Sequence, residues 1–464
     1  MSVKARMQLL GRLMVVLMLL PLLPGLYFTT LKAHELNKME SNPRNVPRPE
    51  LRGRILDRAA RPLAFTKNSK RHYPYGRSAA PVVGYFDLRL GTAGAEALFS
   101  ESLEGQKNPR DLEETLEVAS EGEMGRDVVI TIDAEMQKKA YQLLNGRRGA
   151  IVLLLVQTGE PLVLASFPSY DPRKLGDVWD DLSRDPSHPL LNRAVAGLYP
   201  PGSTFKVMTA AAGLDEMTVT SGQIFHCDGS YSYGDYTLYD SSKGAHGGIS
   251  LADAITVSCN VTFAQVGRDL GLERISSWME KLKLTARSEG LPGSEAGVVP
   301  QVGEGASGAI QAGFGQGSVL VTPFGMARLA ALIGREGKDI EPSLRSAELV
   351  QGSSRQTASG QARQVLDAKA AAYVKKAMRR VVEEGTGGAA AVKGHTVAGK
   401  TGTAENAQGE PHAWFIGFAP AEEPLFAVAV VVENAGYGGR HAAPIAASVL
   451  ETALNSRLGP SNGR

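Results

Sequence analysis

Three short patterns carry the residues best equipped for chemistry. Ser203-Thr204-Phe205-Lys206 follows Pro200-Pro201-Gly202, a break in regular structure from which a helix is expected to begin at the serine. Serine and lysine three apart share one helical face, so the amine can reach the hydroxyl. A helix N-terminus also favours negative charge, through the macrodipole and its free N–H groups. A lysine kept neutral by burial or by a neighbouring cation can serve as general base for such a serine. Ser258-Cys259-Asn260 supplies a second hydroxyl able to relay a proton to a departing amine, and an amide able to hold a substrate peptide group. Lys400-Thr401-Gly402-Thr403 lies within an apolar run that reads as a strand. There a lysine and two hydroxyls on an exposed edge can bind a terminal carboxylate, while Gly402 lets substrate approach the backbone. Taken singly, each pattern also reads as ordinary structure: a helix cap with a surface lysine, helix-end capping, a solvated strand end.

Together they say more. Each occurs once, and their order is that of the serine β-lactamases and penicillin-binding proteins. The chain resembles the class B penicillin-binding proteins, monofunctional peptidoglycan D,D-transpeptidases, in their compact form. The likeness extends to Arg52-Gly53-Arg54-Ile55-Leu56-Asp57, Asn192-Arg193-Ala194, Tyr199 to Lys206, His246-Gly247, Gly315-Gln316-Gly317 ahead of Thr322-Pro323, and residues 399–405. It implies that Ser203 is acylated, Lys206 is its base, Ser258 shuttles the proton, and Asn260 positions the peptide donor and orders Lys206. It further implies that Lys400 supplies positive charge, Thr401, Gly402 and Thr403 bind substrate, and the N–H groups of Ser203 and Thr403 form an oxyanion hole. The implied substrates are peptidoglycan stem peptides, with covalent β-lactam inhibition, no cofactor and no metal.

The elements that must position these residues follow from patterning. A strand is expected at 128–132, then a helix at 134–144 opened by Asp133 and closed by Asn145-Gly146. Apolar runs at 150–156 and 161–165 read as a hairpin, and helices are expected after Ser203, Leu251 and Thr322, the last with threonine as N-cap and proline at N1. Strands at 396–403, 413–418 and 426–432 and a helix at 444–454 close the chain. The fold class is therefore mixed α/β (α+β), an antiparallel sheet with helices on its faces. Four segments are expected: an anchor at 1–32, a proline-rich linker at 33–51, a small N-terminal non-catalytic domain at 52–148, and a serine β-lactamase/transpeptidase-like domain at 149–458.

The uncharged run 13–28, preceded by Lys4, Arg6 and Arg12, is read as a retained membrane anchor with the following chain extracytoplasmic. A polytopic glycan polymerase is the partner that the resemblance implies for the anchor and N-terminal domain. A formal net charge of +2 with no long like-charge run gives no support to nucleic-acid binding, and none is expected. Two cysteines, Cys227 and Cys259, exclude a disulfide scaffold and an iron–sulfur cluster, and read as buried small side chains rather than a bridge. No His-Glu-x-x-His spacing or Gly-x-Ser-x-Gly elbow occurs, and the glycine-rich run 313–317 reads as a loop near the site rather than a phosphate cradle. Tyr231, Tyr233, Tyr236 and Tyr239 are assigned loop and packing roles. A class A lactamase is disfavoured, because the one Glu-x-x-Leu-Asn string, Glu451 to Asn455, follows the third pattern. The alternatives that share the motifs are a D,D-carboxypeptidase, a β-lactam sensor or β-lactamase, and a wall-assembly scaffold with an idle site.

Overall fold

The computed structural model describes residues 51–104, 125–240, 244–350, 353–356, 360–406, 409–456 and 458, with isolated positions 12, 14 and 20. The expected anchor and linker lie outside these residues but for those positions and Leu51. Among the described residues no helix is long and apolar enough to cross a membrane.

The first strands form a mixed sheet. Strand β1 (Ile55–Leu56) pairs antiparallel with β2 (Pro62–Lys67), which continues into β3 (Lys70–His72); on its other side β1 runs parallel to β4 (Asp127–Ile130). A hairpin from much later in the chain, Arg345–Val350 with Ser353–Gln356, completes the sheet through β4. Two segments far apart in sequence therefore share one ladder, a pairing with no local sequence signal. Helix α1 (Ala134–Leu144) follows as expected: the Asp133 side chain accepts from the N–H groups of Glu135 and Met136, and Asn145 ends it in the left-handed region.

The larger unit is built on β5 (Gly149–Leu155) and β6 (Pro161–Phe167), then helices α2 (Lys206–Asp215), α3 (Leu251–Val257), α4 (Asn260–Lys281), α5 (Pro323–Gly334) and α6 (Ala368–Glu383). Strands β7 (Ala398–Ala404), β8 (His412–Ala419) and β9 (Phe426–Val432) return, and α7 (Ala443–Leu454) closes the unit. The sheet order is β7-β8-β9-β5-β6, every pair antiparallel. Both faces are covered, which explains why β5 and β9 read as continuous apolar runs instead of alternating. Ala427, Ala429 and Val431 of β9 pack into the cluster holding α2, α4 and α5, while Val428, Val430 and Val432 pack with α1 and α7. Each buried valine contributes about 1.5–3 kcal/mol. The expected antiparallel sheet flanked by helices is what forms, and β7 is left as an edge strand.

Candidate active site

The Pro-Pro-Gly-Ser segment does not begin an α-helix at the serine. Gly202–Phe205 is a tighter 3-10 turn, and α2 starts at Lys206. A 3-10 turn places positions three apart nearly in line, which keeps Ser203 and Lys206 on neighbouring turns of one segment. Gly202 needs its glycine: its φ is +53°, its N–H donates to the Gly315 carbonyl at 2.9 Å, and a Cβ there would lie 2.7 Å from the Thr403 carbonyl oxygen. The run 313–317 is thus a buttress packed on the nucleophile turn. Trp414 of β8 adds a hydrogen bond from its indole N–H to the Pro200 carbonyl at 3.1 Å.

The second pattern is a break between two helices. Ser258 ends α3 in the left-handed region (φ +65°), and Cys259 caps α4, its sulfur accepting from the Thr262 N–H. A serine in that region costs about 1–2 kcal/mol. The turn aims three acceptors at one amine: Lys206 Nζ donates to the Ser258 carbonyl at 2.6 Å, to Asn260 Oδ1 at 2.7 Å and to Ser258 Oγ at 3.3 Å. Lys400 Nζ donates to the same Ser258 Oγ at 2.9 Å and to the Thr401 carbonyl at 3.1 Å. The two amines, both fully buried, meet at one neutral hydroxyl. Burial pushes Lys206 down to about 7, with Cys259 and Asp240 pulling the other way. Burial, then the neighbouring Lys206, holds Lys400 well below the usual lysine range. Asp240 is buried and its Oδ2 accepts from the Asn260 N–H at 3.0 Å, which fixes the start of α4.

The third pattern lies on the edge strand. Alternation along β7 sends Lys400 to the helical side with Ala398 and Ala404, and leaves Thr401 and Thr403 lining the cleft. Gly402 faces the nucleophile turn, where a Cβ would meet Thr204 Cγ2 at 2.9 Å and the Pro201 carbonyl at 3.0 Å. Its glycine serves the packing of turn on strand. Ser203, Ser258, Asn260, Thr401 and Thr403 therefore border one cleft of about 950 Å³, with Lys206 and Lys400 beneath them.

Sequence reasoning missed part of the lining. Tyr236 and Tyr239 stand on a hairpin strand (Tyr236–Tyr239) in the cleft wall, not in a packing loop, while the Tyr231 hydroxyl accepts from Arg268. Thr386, Glu410 and Tyr437 also line the cleft and lie in no recognisable pattern, and they are joined by Glu405 at the end of the 399–405 stretch. Behind the Ser258 turn, Cys227, Asp240, His246 and Cys259 bring their sulfur, carboxylate and imidazole atoms within 4.8 Å of one another, a group with donors that could hold a metal ion. Only Cys227 lies in a strand (Ile224–Cys227), and Asp240, His246 and Cys259 lie in the connections that follow, so no metal spacing shows in the sequence. Both cysteines are buried and unbridged, as expected.

Comparison with known proteins identifies the family. Residues 149–451 match the penicillin-binding protein transpeptidase domain. Over 424 residues the chain is 33% identical to peptidoglycan D,D-transpeptidase PbpA of Mycolicibacterium smegmatis, covering 83% of this chain and 84% of the relative. It is 30% identical to peptidoglycan D,D-transpeptidase MrdA of Acinetobacter baumannii over 83% of this chain and 66% of that one. Penicillin-binding protein A of Mycobacterium tuberculosis, solved as a penicillin G acyl-enzyme complex, superimposes with a TM-score of 0.79 at 29% identity, over 87% of this chain and all of the other. A matched domain over more than half the chain, and relatives aligned over most of it, make this protein a member of the penicillin-binding protein transpeptidase family.

Proposed function

We infer that the chain is a peptidoglycan D,D-transpeptidase that cross-links stem peptides through a serine acyl-enzyme and is inhibited covalently by β-lactams. The observation that carries the reading is the meeting of Lys206 and Lys400 at Ser258 Oγ beneath a cleft bordered by Ser203. Two buried amines facing a neutral acceptor cannot both stay charged cheaply, and an amine near pKa 7 is poised to take a proton at neutral pH.

The roles follow the chemistry. Lys206 Nζ accepts the Ser203 hydroxyl proton as Oγ attacks the carbonyl carbon of the penultimate D-alanine. The oxyanion is held by the Ser203 and Thr403 N–H groups, whose segments are brought together by the glycine at 202. Collapse breaks the peptide bond, and Ser258 Oγ passes a proton to the departing D-alanine amine while being reprotonated from Lys206. An acceptor amine on a second stem then attacks the ester, its proton returns by the same route, and Ser203 is regenerated. With Lys206 occupying Asn260 Oδ1, the Asn260 amide N–H₂ is left to hold the donor peptide. Thr401 and Thr403 bind the terminal carboxylate, whose negative charge favours the ammonium form of Lys400.

Residues 52–148, joined by the 345–356 hairpin, form the non-catalytic domain, and 149–458 the transpeptidase domain. The apolar run 13–28 anchors the chain in the cytoplasmic membrane with both domains outside, and anchor and N-terminal domain dock a polytopic glycan polymerase. A pentapeptide donor with an amine acceptor tests the activity: D-alanine release in step with a cross-linked product supports it. D-alanine release with free tetrapeptide alone would make the enzyme a carboxypeptidase, and neither product in a folded protein would favour the scaffold.

A further inference from the structure

Thr386 belongs to none of the three motifs, yet its Oγ1 lies 2.6 Å from Thr401 Oγ1 and the residue lines the cleft. It sits just beyond α6, in a turn gripped from two sides. Gly385 packs so closely that a Cβ would lie 2.4 Å from the Thr256 carbonyl of α3, and a Cβ on Gly439 would lie 2.8 Å from the Thr386 carbonyl. Arg380 of α6 ties the same region to α3 through an ion pair with Asp253 at 2.8 Å. The turn therefore bridges the helix that ends at Ser258 and the strand that carries Thr401.

A hydroxyl has one proton and two acceptor lone pairs, so a single proton occupies the short contact between the two threonines. Thr401 is 7% exposed, which leaves it few other partners. If Thr401 is to donate to an incoming carboxylate, it must be the acceptor in its bond with Thr386. Donation by Thr386 then frees the Thr401 proton for the cleft, and the chain of two hydroxyls polarises toward the anion.

We propose that Thr386 is a positioning residue for substrate recognition, setting the direction of the Thr401 hydroxyl so that it presents a proton to the donor's terminal carboxylate. The proposal rests on the reading of Thr401 as a carboxylate ligand. Such a device acts on binding of carboxylate-ended donors and leaves the acylation chemistry at Ser203 alone.

The test uses a D-alanyl thioester donor ending in a carboxylate and its neutral amide twin, with thiol release as the readout, on the full chain. Thr386→Val should raise KM for the carboxylate donor about 3–10-fold with kcat within about twofold, the scale of one neutral hydrogen bond. The amide twin should be unaffected, Thr386→Ser should restore native behaviour, and Thr386→Val should add nothing in a Thr401→Ala background. Equal losses on both donors, no loss with an unchanged melting temperature, or a full loss persisting over Thr401→Ala would overturn the proposal. If Thr401→Ala alone leaves discrimination between the twins intact, the carboxylate reading of Thr401 fails as well. If Thr386→Val melts early, Thr386→Ser and Thr386→Ala carry the same comparison.

Discussion

Two buried cation pairs in this molecule are handled in opposite ways. In the N-terminal sheet, Arg52 and Arg71 converge on one carboxylate: Arg52 Nε and Arg71 Nε each donate to Glu96 at 2.7 Å, and the Tyr73 hydroxyl adds a third bond at 3.2 Å. Arg52 also reaches Glu104 at 2.7 Å, so its charge is shared between two acids. In the cleft, Lys206 and Lys400 converge on a hydroxyl with no net charge. A guanidinium cannot be deprotonated in a protein, and its planar fork fits carboxylates; an ammonium loses its proton when buried. The first pair is a permanent brace. In the second, burial against a hydroxyl holds both amines below the ordinary lysine range, which is what the base proposed at Lys206 requires.

The contrast breaks most visibly at its two centres. Lys206→Met should cut penicillin acylation about 10²–10⁴-fold, the usual worth of a positioned base. Its melting temperature should hold or rise, since a buried amine is exchanged for an apolar chain of similar length. Glu96→Gln should do the reverse, leaving Arg71 without its charge partner and Arg52 with Glu104 alone, at a cost of about 3–5 kcal/mol. Acylation measured well below its melting temperature should stay native. A Glu96→Gln protein that melts normally, or a Lys206→Met protein that acylates normally, would dissolve the distinction.

pH sharpens it further. Acylation needs neutral Lys206, so the rate should rise with pH through about 7 and level off above, and fall about tenfold per unit below. The stability sign follows from the same shift. Between about pH 7 and the ordinary lysine range the unfolded chain binds a proton at residue 206 that the folded chain does not, so folding stability should increase with pH there. Lys206→Met should lose that contribution, which paired urea titrations at two pH values would read. The smallest effect is expected at Gly402→Ala. Its methyl would press on Thr204 and Pro201, shifting the nucleophile turn and slowing acylation with little loss of stability.

These centres were unequally legible in the sequence. The proposed catalytic pair was visible because Ser203 and Lys206 sit in one turn, and the other two motifs are three or four contiguous residues. The central sheet was equally readable: β5, β6, β8 and β9 are apolar runs bounded by turn residues, and α1 and α5 carry their caps at Asp133 and Thr322. What stayed hidden depends on residues that meet only through the fold. Glu96 is an ordinary acid until Arg52 and Arg71 close on it, Asp240 until α4 begins beside it, and Thr386 until its turn lies against β7. The 345–356 hairpin gave no sign of joining a sheet that starts at residue 55, since a ladder partner leaves no periodicity in the strand that recruits it. The contact of Gly402 with the nucleophile turn was not legible either, because alternation along an edge strand fixes the face and not what occupies it.

The central claim is tested most directly by intact-protein and peptide mass spectrometry after exposure to penicillin G, comparing the native chain with Ser203→Ala. One penicillin added per native chain, on the peptide containing Ser203 and absent from the variant, is the predicted result. No adduct on a folded native protein, or an adduct that survives Ser203→Ala, would contradict the acyl-enzyme account.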